Sequence, residues 1–104
     1  MVTHYSLLYY TLRVKQNGQY LPATPNPDRP DRFVLVFGDP AEALSYLNAH
    51  AAGLEDRFTI ETVNQTQISG ILERWSFAGI GLVRDPRLPE IDFATRLKDL
   101  NPER

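Results

Sequence analysis

The chain of 104 residues has no cysteine, which excludes a disulfide framework, thiolate catalysis and sulfur-ligated zinc or iron. A basic excess is also missing. Eleven Lys and Arg stand against 13 Asp and Glu, for a formal charge of −2, so there is no positive surplus to neutralise a phosphate backbone and nucleic acid is not an expected partner. No run approaches the roughly 20 apolar residues of a membrane helix; the longest is Phe33–Phe37. Met1 to Leu12 has neither a basic start nor an unbroken apolar centre, which reads as no secretion signal. The expected location is cytoplasmic, away from membranes.

Chemistry-bearing patterns are equally scarce. The two histidines, His4 and His50, share no ligand spacing, and His50 falls where a helix end would favour an imidazolium. Ser6, Ser45, Ser69 and Ser76 lack a Gly-x-Ser-x-Gly setting. Asp39 and Glu42 are explained as a helix cap, Glu55 and Asp56 as a solvated loop. Gly79-Ile80-Gly81 precedes a strand, whereas a phosphate loop follows one and opens a helix, so packing is the better reading. No catalytic, cofactor-binding or metal-ligating residue is expected, and no enzyme.

A hydrophobic share of 42% with 23% charged residues is that of one globular domain spanning 1–104. Ser6 to Lys15 alternates as a strand, and Asn17-Gly18 suggests a type I′ hairpin in which Val14 faces Leu21 and Lys15 faces Tyr20. Prolines 22, 25, 27 and 30 predict an extended proline-rich loop over 22–32. Phe33–Phe37 reads as a central strand covered on both faces. Asp39-Pro40-Ala41-Glu42 then signals a helix start, with Leu44, Leu47, Ala51 and Leu54 as its apolar stripe and Gly53 as its stop.

Arg57–Val63 alternates as a less buried strand. Asn64 or Thr66 would cap a second helix bearing Ile68, Ile71, Leu72 and Trp75, with Gly70 packed close to the sheet. Ile80–Val83 suggests a short last strand, Asp92 a cap for a short helix with Phe93, Leu97 and Leu100, and 101–104 a frayed tail. The expected fold is α+β: a β-hairpin plus a βαβα unit, forming a mixed sheet packed by two or three helices.

The stretch Val34 to Tyr46, then Phe58-Thr59-Ile60-Glu61 and the helix from Thr66, resembles a small uncharacterised domain family of cyanobacteria and plastids. The likeness covers residues 33–76 and implies a strand-helix-strand unit. That family has no established activity, so the resemblance implies no functional residues.

Recognition is what remains. Tyrosines concentrate on the hairpin, and aromatics and arginine are enriched at binding hot spots, which makes Tyr9, Arg13, Tyr20 and Trp75 the candidate partner-binding residues. The leading expectation is a small non-catalytic interaction or accessory module that binds a protein partner or itself, through the hairpin and proline loop, with no cofactor. The alternative is a small-molecule-binding domain or minor enzyme with a pocket between helices and sheet, anchored by His50 or Arg74.

Overall fold

The computed structural model describes residues 8–96. Six strands and two α-helices occur in the order β1 (Leu8–Val14), β2 (Pro22–Ala23), β3 (Phe33–Val36), α1 (Pro40–His50), β4 (Phe58–Asn64), α2 (Gln65–Arg74), β5 (Gly79–Asp85) and β6 (Glu90–Ala94), with a 3-10 turn at Glu55–Arg57. β1 and β4 pair antiparallel, while β2, β3, β5 and β6 form a mixed sheet in that order. Tyr10 joins the two by exchanging both backbone hydrogen bonds with Phe37, and Leu21 N–H donates to Leu12 C=O. The fold is α+β, as the sequence predicts.

Placement of the helices follows from connection handedness. β3 is parallel to β5, and through the antiparallel β1 it also runs parallel to β4. The crossover β3-α1-β4 therefore runs outward to the sheet's far edge and β4-α2-β5 runs back. Two right-handed crossovers in opposite directions put their helices on opposite faces. One core accordingly gathers Ile68 and Ile71 of α2 with Tyr20, Val34, Val36, Val63 and Ile80. The other gathers Ala43 and Leu47 of α1 with Leu12, Leu35, Phe37 and Val83. Successive residues of β3 enter opposite cores, so the run Phe33–Phe37 has no polar position.

Helix starts are as the sequence signals them. Asp39 accepts from Glu42 N–H at 2.8 Å with Pro40 in the first turn. Asn64 and Gln67 form a reciprocal capping box, both bonds 2.8 Å. The buried stripe of α1 differs from expectation: Ala43 and Leu47 are covered and Tyr46 packs beside them, whereas Leu44 and Leu54 are each 46% exposed. A helix lying on a twisted sheet buries a narrow face, and small Ala43 lets the backbone approach.

The hairpin also differs. Arg13, not Lys15, faces Tyr20, because Lys15 N–H turns the other way to Arg57 C=O at 2.9 Å. Only Gly18 has positive φ, 72°, whereas a type I′ turn needs two such residues. Gly18 N–H instead closes on Val14 C=O at 2.7 Å, and Asn17 Oδ1 accepts from Gln19 N–H at 3.0 Å. Within the proline-rich stretch, Pro22 and Ala23 pair with β3.

Asp92 and Phe93 lie in strand β6, not in a helix, since a turn through Pro86–Pro89 folds the chain back on β5. Gly79 and Gly81 explain why β6 fits there. A Cβ on Gly79 would overlap the Ala94 carbonyl, and one on Gly81 would come within 2.9 Å of Ile91 and Phe93 side chains. Leu97, Leu100 and the tail 101–104 lie outside the described residues, as do His4 and the first residues of the expected strand.

Candidate functional site

Strand alternation sends Tyr9, Thr11 and Arg13 of β1, and Thr59, Glu61 and Val63 of β4, toward the α2 face. Across the pairing, Thr11 stands opposite Glu61 and Arg13 opposite Thr59. Arg13 reaches Glu61 at 3.5 Å, donates from Nε to Gly18 C=O at 2.9 Å, and covers the Tyr20 ring at 4.6 Å from its centroid. Trp75, at the C-cap of α2, makes a T-shaped contact with the Tyr20 ring, centroids 5.7 Å apart. Its carbonyl accepts from Arg32 Nη2 at 2.8 Å.

Three of the four expected recognition residues thus converge. Arg13, Tyr20 and Trp75 form one stack, with Tyr20 buried and Trp75 half-buried. Tyr9 stands apart, half-buried on the same core and beside Gly38, Glu42 and Arg84 in a hollow of about 220 Å³. The stack sits in the wall of the α2 core.

Glu61 and Arg74 complete the cluster and were not singled out as partners of that stack from the sequence. Between α2 and the sheet lies a cleft of about 380 Å³, lined by Tyr20, Glu61, Thr66, Gln67, Gly70 and Arg74. Burial pushes the Tyr20 hydroxyl up to about 12, helped by its hydrogen bond to Glu61 and by that carboxylate's charge. The phenol is held protonated as a donor. Gly70 does not touch the sheet as expected: a Cβ there would lie 3.0 Å from Arg74 Nη1, so the glycine makes room for the guanidinium folded back along the helix. Glu61 was legible as lying on the Arg13 face from the alternation of 57–63, had the pairing of β1 with β4 been anticipated.

The outer side of β4 is the second component. All seven of its residues pair in unbroken register with β1, and among the described residues no other strand pairs with it. Lys15 N–H to Arg57 C=O fixes the phase. Antiparallel hydrogen bonding alternates along a strand, so Thr59, Glu61 and Val63 direct their backbone groups to β1. Tyr10, Leu12 and Val14 of β1 spend theirs on Phe37, Leu21 and Gln19, in keeping with that phase. The N–H and C=O of Ile60 and Thr62 and the C=O of Phe58 consequently face outward, whereas Phe58 N–H donates to Glu55 C=O at the end of the 3-10 turn.

The opposite edge is different in kind. β6 is offset by a register shift between Val83 and Asp85, follows a proline turn, and carries Asp92 paired with Arg84 at 2.6 Å. Bulges, prolines and charges are the usual guards of an edge. β4 has no proline or lysine and no irregularity.

His50 is remote from the cleft, on the α1 face, where its Nε2 lies 2.9 Å from Pro86 C=O and its ring 4.6 Å from that of Tyr46. Ser76 occupies a left-handed turn with φ 57°. Among the described residues no group of three His, Asp or Glu gathers as a metal site requires, and no helix is long and apolar enough to cross a membrane. Comparison with protein-family models, curated proteins and solved structures finds no match to this chain.

Proposed function

We propose that this chain is a small, non-catalytic protein-binding module that works by strand addition along the outer edge of β4. One observation carries the reading: a regular seven-residue strand at the sheet edge, with outward backbone groups at Ile60, Thr62 and the Phe58 carbonyl and neither the register shift nor the proline turn that guards β6. Main-chain hydrogen bonds supply affinity in this mode, and alternate side chains supply specificity. Thr59, Glu61 and the Arg13 cluster line one side of the edge, Phe58 and Ile60 the other. The docking element is accordingly β4, adjoining the hairpin, and a reducing cytoplasm suits a chain without cysteine.

Thr62→Pro tests this. Its N–H is unused within the fold, and proline is tolerated on an edge where the N–H faces outward. The variant should keep its fold by circular dichroism and lose the protein that the wild-type chain retains from lysate of its source. Equal retention by both would sink the reading.

A second reading has its own observation, the cleft beneath α2. Arg74 and Gln67 line it, donors suited to a small carboxylate. A metabolite panel that raises the melting temperature of the wild-type chain but not of Arg74→Ala supports it.

A further inference from the structure

The edge of β4 is self-complementary, and we infer that its partner is a second copy of this chain, paired β4 to β4 about a twofold axis through Ile60. The inference rests on the strand-addition reading and names its partner. In an antiparallel pair, only residues with outward groups on both strands exchange hydrogen bonds. Here those are Ile60 and Thr62 with both groups and Phe58 with its C=O, spaced evenly on either side of Ile60. Centred there, Ile60 exchanges both bonds with Ile60 of the second copy and each Thr62 N–H donates to Phe58 C=O of the other copy, four bonds that leave Phe58 N–H with Glu55 C=O. A slip of one residue sets outward groups against inward ones. A slip of two one way sets Thr62 opposite Asp56, outside the strand, and the other way moves the axis to Glu61.

Side chains select the same register. Thr59 falls opposite Glu61 of the second copy, and Arg57 opposite Val63, so no charge meets its like. Moving the axis to Glu61 would set two carboxylates directly opposite, which is destabilising in a sheet. Glu61 is moreover already compensated at this edge by Arg13 at 3.5 Å and by the Tyr20 hydroxyl. On the α1 face the two Ile60 side chains become neighbours. Each is half-buried in the free chain and packs on the α1 core, and pairing joins the two apolar rows. An axis normal to the sheet keeps α1 of both copies on one face, and the sheets merge into one.

The chain's lack of cysteine permits a direct test on the 104-residue chain itself. Sedimentation across a concentration series should show the wild-type mass rising toward twice 11.9 kDa, while Thr62→Pro stays at the monomer value. Ile60→Cys reads the register independently. Bonded antiparallel residues have Cα atoms about 5.5 Å apart, inside disulfide range, so oxidation should cross-link this variant to a dimer. Thr59→Cys, whose own copies lie about 8 Å apart, should cross-link at least tenfold more slowly alone and efficiently when mixed with Glu61→Cys. A wild-type chain that stays monomeric at millimolar concentration overturns the inference. So does equal cross-linking of the two single variants. If that monomer still loses another protein on Thr62→Pro, strand addition stands and self-pairing falls; if Thr62→Pro dimerises like wild type, both fall.

Discussion

The Arg13 guanidinium lies 4.6 Å from the centroid of the Tyr20 ring, and the ring of Trp75 stands nearly perpendicular to that tyrosine at 5.7 Å. Arg13 also bonds Gly18 C=O and Glu61, so one side chain ties the hairpin loop, β4 and the α2 core together. Arg13→Ala should cost about 1–2 kcal/mol, the sum of a partly covered cation–π contact, a half-exposed ion pair and a hydrogen bond. Urea unfolding measures it. Arg13→Lys should recover less than half, because an ammonium neither stacks flat on the ring nor reproduces the guanidinium fork.

Tyr20 makes stability depend on alkaline pH. Its hydroxyl titrates near 12 when folded, chiefly through burial and then through Glu61, against about 10 when unfolded. Between those values the unfolded chain has released the proton and the folded chain keeps it, so stability falls as pH rises, by at most about 1.4 kcal/mol per pH unit. The contribution is whole below pH 10. Tyr20→Phe removes the titrating group, so the advantage of wild type over this variant should shrink from pH 10 to 12. A constant gap would count against the assignment.

Two glycines should respond oppositely to alanine. At Gly79 a Cβ collides with backbone, overlapping the Ala94 carbonyl and lying 2.7 Å from Thr95 Cα, so Gly79→Ala should separate β5 from β6 at a cost of about 3 kcal/mol. At Gly70 the neighbour is the end of the flexible Arg74 side chain. Gly70→Ala should stabilise by up to about 1 kcal/mol through helix propensity, with Arg74 displaced from the cleft. Thermal unfolding of the pair gives the signs.

The end of α2 holds a residue in the wrong conformation for its type. Ser76 has φ 57°, and Phe77 N–H closes the turn onto Leu72 C=O at 3.0 Å, the arrangement in which glycine is favoured. Ser76→Gly should raise stability by about 0.5–1 kcal/mol. At the other end, Asn64→Ala breaks the capping box and should lower it by about 1 kcal/mol.

Where local chemistry decides the outcome, the sequence was a sound guide. Asp39 with Pro40, Asn64 with Gln67, and the apolar run of β3 each carry their own instruction, and alternation correctly assigned the faces of β1 and β4. The errors fall where a distant segment decides. Asn17-Gly18 looks like a two-residue turn until β4 draws Lys15 toward Arg57. Asp92-Phe93 looks like a helix start until the glycines of β5, more than ten residues earlier in sequence, open space for a strand. The Arg13–Tyr20–Trp75 stack was legible only as composition, since its members meet through pairings that no local pattern states, and the open edge of β4 follows from strand order alone.

Both connections of β4 are helices, one on each side of the sheet, and each helix is fastened into its own core. An edge strand is ordinarily the first to fray, yet this one cannot peel away without undocking α1 on one face or α2 on the other. Amide exchange should therefore divide the strand by residue parity: the outward N–H groups of Ile60 and Thr62 exchange freely in the isolated chain, while those of Thr59, Glu61 and Val63 last nearly as long as the core. A load applied by anything attached along that edge passes directly into both halves of the molecule.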